Sequence, residues 1–121
     1  MAKHKRSFTL YLKDILESIE KIQANALKGK EAFLEDENMQ DSIIRKLEII
    51  GEASNRLPKE LLEQYSDAPW GQIVALRNVL IHEYFRVELY LVWALISSQE
   101  LQKLHEIVAQ MLVDTDDTTS E

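Results

Sequence analysis

Apolar side chains recur along the first part of the chain at Phe8, Leu12, Ile15, Ile19, Ile22 and Ala26. Alternating steps of four and three mark one face of an α-helix, and Asp14, Glu17, Glu20 and Lys21 fall off that stripe. Ser7 offers a capping oxygen and Gly29 a stop, so the spacing predicts a helix over about residues 8–28. An acidic connection from Glu31 to Glu37, holding Phe33 and Leu34, leads to a second stripe: Met39, Ile43, Leu47, Ile50, Ala53 and Leu57. Asn38 is the expected cap of that second helix. Pro58 ends it and suits the first turn of a short helix carrying Leu61, Leu62 and Tyr65. After a loop at Ser66-Asp67-Ala68-Pro69 comes a dense apolar helix with Trp70, Ile73, Val74, Leu76, Leu80 and Ile81. A last long helix is expected over roughly residues 87–112, through Leu91, Leu95, Leu101, Leu104, Val108 and Met111. The pattern predicts an all-α bundle of four main helices plus one short helix.

The ends of the chain differ from its body. Lys3, Lys5 and Arg6 make residues 1–7 a basic arm, and Asp114, Asp116, Asp117 and Glu121 make residues 113–121 an acidic tail without a core, expected to be disordered. Between them, residues 8–112 form one helical domain. Only three Gly and two Pro argue against a turn-rich β fold, and zero Cys excludes a disulfide scaffold and thiol chemistry. The longest apolar run, Leu89 to Ile96, falls far short of the roughly 20 residues of a membrane span. No apolar stretch follows the basic start, so no secretory signal is expected, and a cytoplasmic location is.

Charge narrows the partners. With 14 Lys and Arg against 21 Asp and Glu, the net charge of −7 opposes a protein that coats nucleic acid by charge alone. A polyanion would need a local arginine patch. Between Lys59 and Lys103 the permanently charged basic residues are Arg77 and Arg86.

Most catalytic constellations are absent. There is no phosphate-binding Gly-rich loop, no His-Glu-x-x-His and no Gly-x-Ser-x-Gly. His4, His82 and His105 show no metal-ligand spacing, so no metal site is assigned and no cofactor is expected. His105 reads as a surface residue, His4 as part of the arm, and the acidic tail as a solvated segment.

Arg77-Asn78-Val79-Leu80-Ile81-His82-Glu83-Tyr84 stands apart, because it packs a guanidinium, an amide, an imidazole and a phenol into an apolar helix. Burying such groups is costly unless they are paired or face a cavity or interface. A salt-bridged arginine, a capping histidine and a core tyrosine would explain them as well as a functional site would. Arg77 and Tyr84, seven residues apart, share nearly one helical face, whereas His82 lies about 140° round from Arg77. A shared site therefore needs a break near His82 or two copies of the chain. Histidine can take the proton of a ribose 2′-hydroxyl, and arginine can brace the phosphate as negative charge builds. Together they are enough for RNA cleavage without a metal.

Arg77 through Tyr84 resembles the Arg-x-x-x-x-His-x-Tyr motif of the HEPN superfamily, and of HepT-like toxins in particular. Ile50-Gly51-Glu52-Ala53, Pro69-Trp70 and Val92-Trp93 are similar to segments of the same family. The resemblance covers residues 8–112 and implies an all-α domain that forms a homodimer around a composite cleft. It implies a metal-independent endoribonuclease acting on RNA, the toxin of a toxin–antitoxin pair. Its antitoxin would be an MntA-like minimal nucleotidyltransferase that attaches AMP to the motif tyrosine. Carried over, Arg77 and His82 become the catalytic pair, Asn78 a supporting residue and Tyr84 the modified residue; Arg86, singled out by the charge pattern, is expected as a further contact to substrate. Two other readings stay open: a non-catalytic helical subunit that regulates a nucleotidyltransferase, and a dimerising structural protein.

Overall fold

The structure is a computed structural model that describes residues 2–82 and 88–120, with side chains described at 8–81 and 88–115. The described residues form seven helices: α1 (Ala2–Ala26), α2 (Lys30–Glu35), α3 (Glu37–Asn55), α4 (Lys59–Gln64), α5 (Trp70–His82), α6 (Leu89–Ile96) and α7 (Glu100–Ser120). No strand occurs among the described residues. The fold is all-α.

Three long helices carry the core. α1 packs against α3 on one side and α7 on the other, and α5 lies across the opposite flank of α3. The stripes read from the sequence are the ones buried: Leu12, Ile15, Ile19 and Ile22 on α1, and Met39, Ile43, Leu47, Ile50 and Ala53 on α3, with Leu57 just beyond it. α7 adds Leu101, Leu104, Val108 and Met111. Fully burying one such side chain is worth about 1.5–3 kcal/mol, so this three-helix seam holds the domain together. Polar bonds line its edge, with His105 Nε2 2.9 Å from Glu20 Oε2 and Gln23 donating to Gln102 at 2.9 Å.

Several boundaries differ from the expected ones. The acidic connection contains a helix of its own, α2, which buries Phe33 against Trp93 with ring centroids 5.7 Å apart. Its acidic residues face solvent while Phe33 supplies the anchor. The cap of α3 is Asp36 rather than Asn38, its carboxylate accepting from the Met39 N–H at 3.1 Å. The expected last helix is two helices. Ser97 Oγ donates to the Trp93 carbonyl at 2.7 Å and Ser98 Oγ to the Leu95 carbonyl at 2.6 Å, and Ser98 Oγ also accepts from the Glu100 N–H at 3.2 Å. The serine pair thus closes α6 and opens α7, as side chains that compete with the backbone ladder tend to do. Helical backbone also reaches beyond the limits read from the pattern, back to Ala2 and on to Ser120. Within α7, Gln110 Nε2 donates to Asp114 at 2.8 Å, and Tyr65 donates to the same carboxylate. These contacts give the start of the acidic segment a fixed place.

Candidate active site

α5 presents its apolar residues all round. Trp70 and Leu80 are buried, Ile73, Val74 and Leu76 half-buried, and Val79 and Ile81 exposed. Arg77 sits on the margin of the side that packs on α3. Its stem crosses α3 at Gly51: a β-carbon built there would lie 2.2 Å from Arg77 Cβ, 2.9 Å from Arg77 Cγ and 3.2 Å from the Ile73 carbonyl oxygen. The backbones are as close as they are because position 51 has no side chain.

The Arg77 guanidinium spans two environments. Nε is buried with no hydrogen-bond partner in the protein. At the outer end, Nη1 donates to Asn78 Oδ1 at 3.0 Å, in the exposed zone. Leaving a buried N–H unpaired costs about 1–3 kcal/mol, so the arginine is held there against its own preference. Another buried, unpartnered polar atom, Ser54 Oγ, lies on α3. Ser54 is seven residues beyond Leu47, which lines a groove with Ile73 and Leu76 of α5, so it shares the α5-facing stripe.

His82 is the last residue of α5. By helical register its backbone position falls about 140° from that of Arg77, on the side of Ala75 and Asn78, both exposed. The structure therefore brings Arg77 and Asn78 together, while one straight α5 does not turn positions 77 and 82 to a common point. Tyr84 and Arg86 lie outside the described residues.

Two concavities of about 300 Å³ each flank α3. One is polar, between α1 and α3, with Asp14, Glu17, Lys46, Glu52 and Arg56 in its walls. The other is apolar, between α3, α5 and α7, with Leu47, Ile50, Ile73, Leu76, Leu101 and Leu104. Neither takes in Arg77. Its outer nitrogen, Nη1, instead meets Asn78 Oδ1 in the exposed zone.

The chain belongs to the ribonuclease HepT-like family, whose model matches residues 15–111. It is 41% identical over 90 residues to a protein of Thermococcus cleftensis named "Probable ribonuclease HepT", covering 74% of this chain and 82% of that one. It is 39% identical over 104 residues to a "Putative RNase" of Caldanaerobacter subterraneus subsp. tengcongensis, covering 84% of this chain and 91% of the relative. A protein of Methanocaldococcus jannaschii named "Gamma-glutamylcyclotransferase and putative RNase" is 36% identical over 113 residues, or 93% of this chain. This chain spans half the length of that last relative. No solved structure matches. Among the described residues, no helix is long and apolar enough to cross a membrane.

Gly51 and Ser54 are absent from the site read off the sequence. Gly51 was visible as part of the Ile-Gly-Glu-Ala segment, but its contact with Arg77 exists only once α5 is docked. Ser54 carries no signal beyond its place on the α3 stripe.

Proposed function

We propose that this protein is a metal-independent endoribonuclease, with Arg77 and His82 as its catalytic pair, supplied jointly by two copies of the chain. The observation that carries the proposal is the state of Arg77, a half-buried guanidinium fixed against α3, oriented by Asn78 and set in a helix of a ribonuclease family. His82 takes the proton of a ribose 2′-hydroxyl, and the 2′-oxygen attacks the adjacent phosphorus. Arg77 stabilises the charge that builds on the phosphoryl oxygens. The 5′-oxygen leaves and gains a proton from water, which recovers one from His82, so the products are a 2′,3′-cyclic phosphate and a free 5′-hydroxyl. The nucleophile is already held beside the phosphorus, which removes the need for a metal to deliver it.

A two-fold dimer resolves the divergence of positions 77 and 82 by letting Arg77 of one copy meet His82 of the other. Support comes from two exposed apolar residues near the end of α5, Val79 at 48% and Ile81 at 44%, which by register fall on the His82 side and the Arg77 side of the helix respectively. Arg86 would add positive charge to a cleft in an otherwise acidic protein.

In this reading the protein is the toxin of a toxin–antitoxin pair and works in the cytoplasm. An MntA-like nucleotidyltransferase silences it: the Tyr84 hydroxyl attacks the α-phosphorus of ATP, AMP becomes attached, and pyrophosphate leaves. The decisive experiment incubates the purified protein with RNA in excess chelator and reads the new ends. Cyclic-phosphate ends support the proposal. Intact RNA would instead favour a non-catalytic helical subunit, a role that suits the net charge of −7.

A further inference from the structure

We infer that Gly51 is the positioning residue for Arg77, setting the depth at which α5 docks on α3 and so the point where the guanidinium emerges. The inference rests on the reading of Arg77 as the phosphate-binding group of a ribonuclease.

Gly51 lies in the interior of α3, where glycine is worse than alanine by up to about 1 kcal/mol. Its backbone does not need that freedom. Gly29 is the positive-φ glycine of the described chain, whereas Gly51 is helical. What position 51 needs is space. The atoms in the way of a β-carbon are Arg77 Cβ, Arg77 Cγ and the Ile73 carbonyl oxygen. Two of these are fixed by the backbone of α5 and cannot swing aside. At 2.2 Å the first contact is so short that any side chain would push α5 off α3 by about 1 Å or more. By contrast, Gly71, near the start of α5, has nothing within 4 Å of its virtual β-carbon.

The close approach occurs at the arginine itself. Its stem leaves α3 at one defined place, with Nε held inside and Nη1 brought to Asn78. A shift of about 1 Å in a catalytic group costs on the order of 10²-fold in rate. Gly51 thus acts on the reaction through Arg77 without touching RNA.

The test is a double-mutant cycle on the full chain. The readouts are cleavage of RNA and affinity for a 2′-deoxy oligonucleotide that cannot be cut. Gly51→Ala should lower kcat by about 10²-fold with the helical content kept. It should also weaken the uncleavable oligonucleotide by about ten-fold, the scale of one charge-assisted hydrogen bond. In Arg77→Gly, which has neither Cβ nor Cγ to collide with, adding Gly51→Ala should change affinity by less than about two-fold, as expected when one residue acts only through the other. Equal weakening in both backgrounds would overturn the inference, because it would make Gly51 a general packing residue. Full cleavage by Gly51→Ala would overturn it too. If Gly51→Ala alone does not fold, the double variant decides: recovery of the fold supports the contact with Arg77, and failure to recover where Arg77→Gly alone folds rejects it, leaving the Ile73 carbonyl as the obstacle. Arg77→Ala separates the two claims. Undiminished cleavage there sinks the ribonuclease reading at Arg77, whereas lost cleavage beside an active Gly51→Ala sinks only the role of Gly51.

Discussion

The Tyr65 hydroxyl, just past α4, donates to the carboxylate of Asp114 on α7, and the Tyr65 carbonyl accepts from Trp70 Nε1 at 3.0 Å. One residue thereby ties the far part of α7 to the first residue of the helix that carries Arg77. Burial and then the Asp114 hydrogen bond push the Tyr65 hydroxyl up to about 12. Its hydrogen bond to Tyr65, then that from Gln110, holds the Asp114 carboxyl below the ordinary value.

The signs of these shifts predict a pH window. A tyrosine whose folded pKa exceeds its unfolded value gives full stability below pH 10.0, and loses it as the pH rises toward about 12. Asp114 works at the other end: its contribution is present above 3.8 and fades as the pH falls through its depressed folded value. Tyr65→Phe should cost about 1 kcal/mol near neutrality and flatten the alkaline decline. Thermal unfolding of both proteins at pH 8, 10 and 11 (about the span of the tyrosine titration) checks this. Parallel alkaline curves would mean that Tyr65 is not the group responsible.

Arg77→Met tests the tension around Nε from the stability side. Methionine keeps much of the stem but removes the unpaired buried N–H. The variant should be inactive on RNA yet as stable as the parent, or more stable by about 1 kcal/mol. Arg77→Lys should also lose most cleavage, because an ammonium cannot offer the planar fork. A clear fall in stability in Arg77→Met would show that the guanidinium supports the fold.

The exposed apolar residues on both flanks of α5 predict the oligomeric state. Val79→Glu and Ile81→Glu place charge at residues that are open in the single chain, so each should leave its helical content intact. Light scattering should nevertheless find monomers where the parent forms dimers, and RNA cleavage should fall with the dimer. A variant that stays dimeric and active would move the interface elsewhere.

For the regulatory proposal the measurement is mass. Incubation with the partner nucleotidyltransferase and ATP should add mass in steps of one AMP, and Tyr84→Phe should add none. Cleavage should fall as the modified fraction rises, because a tethered phosphate competes at the site and repels the incoming one. An adduct that left cleavage unchanged would separate the modification from silencing.

The sequence made the core legible because its signal is periodic. Every residue of the Leu12-Ile15-Ile19-Ile22 stripe is fully buried, and Met39 through Leu57 on the second stripe are buried as well. What it hid were features without a period. α2 is a six-residue helix anchored by the single buried Phe33, too short to announce itself by pattern. Ser97 and Ser98 interrupt an apolar rhythm that would otherwise read straight through, and only their bonds to Trp93 and Leu95 carbonyls reveal the break. At the candidate site, Arg77 and Asn78 were named from residue chemistry, and their 3.0 Å contact is local in sequence. The role of Gly51 depends on a contact between α3 and α5, twenty-six positions apart, which no spacing within one helix can signal.

The turn of about 140° between positions 77 and 82 also bears on gene dosage. If each working cleft needs Arg77 from one copy and His82 from another, a lone chain is harmless. Well below the dimer dissociation constant, the concentration of working clefts then rises with the square of the concentration of the chain. Leaky expression would be tolerated, whereas a burst of synthesis would release activity out of proportion to its size. On the proposed mechanism, a helix with positions 77 and 82 on different faces would in this way set a threshold without any second protein.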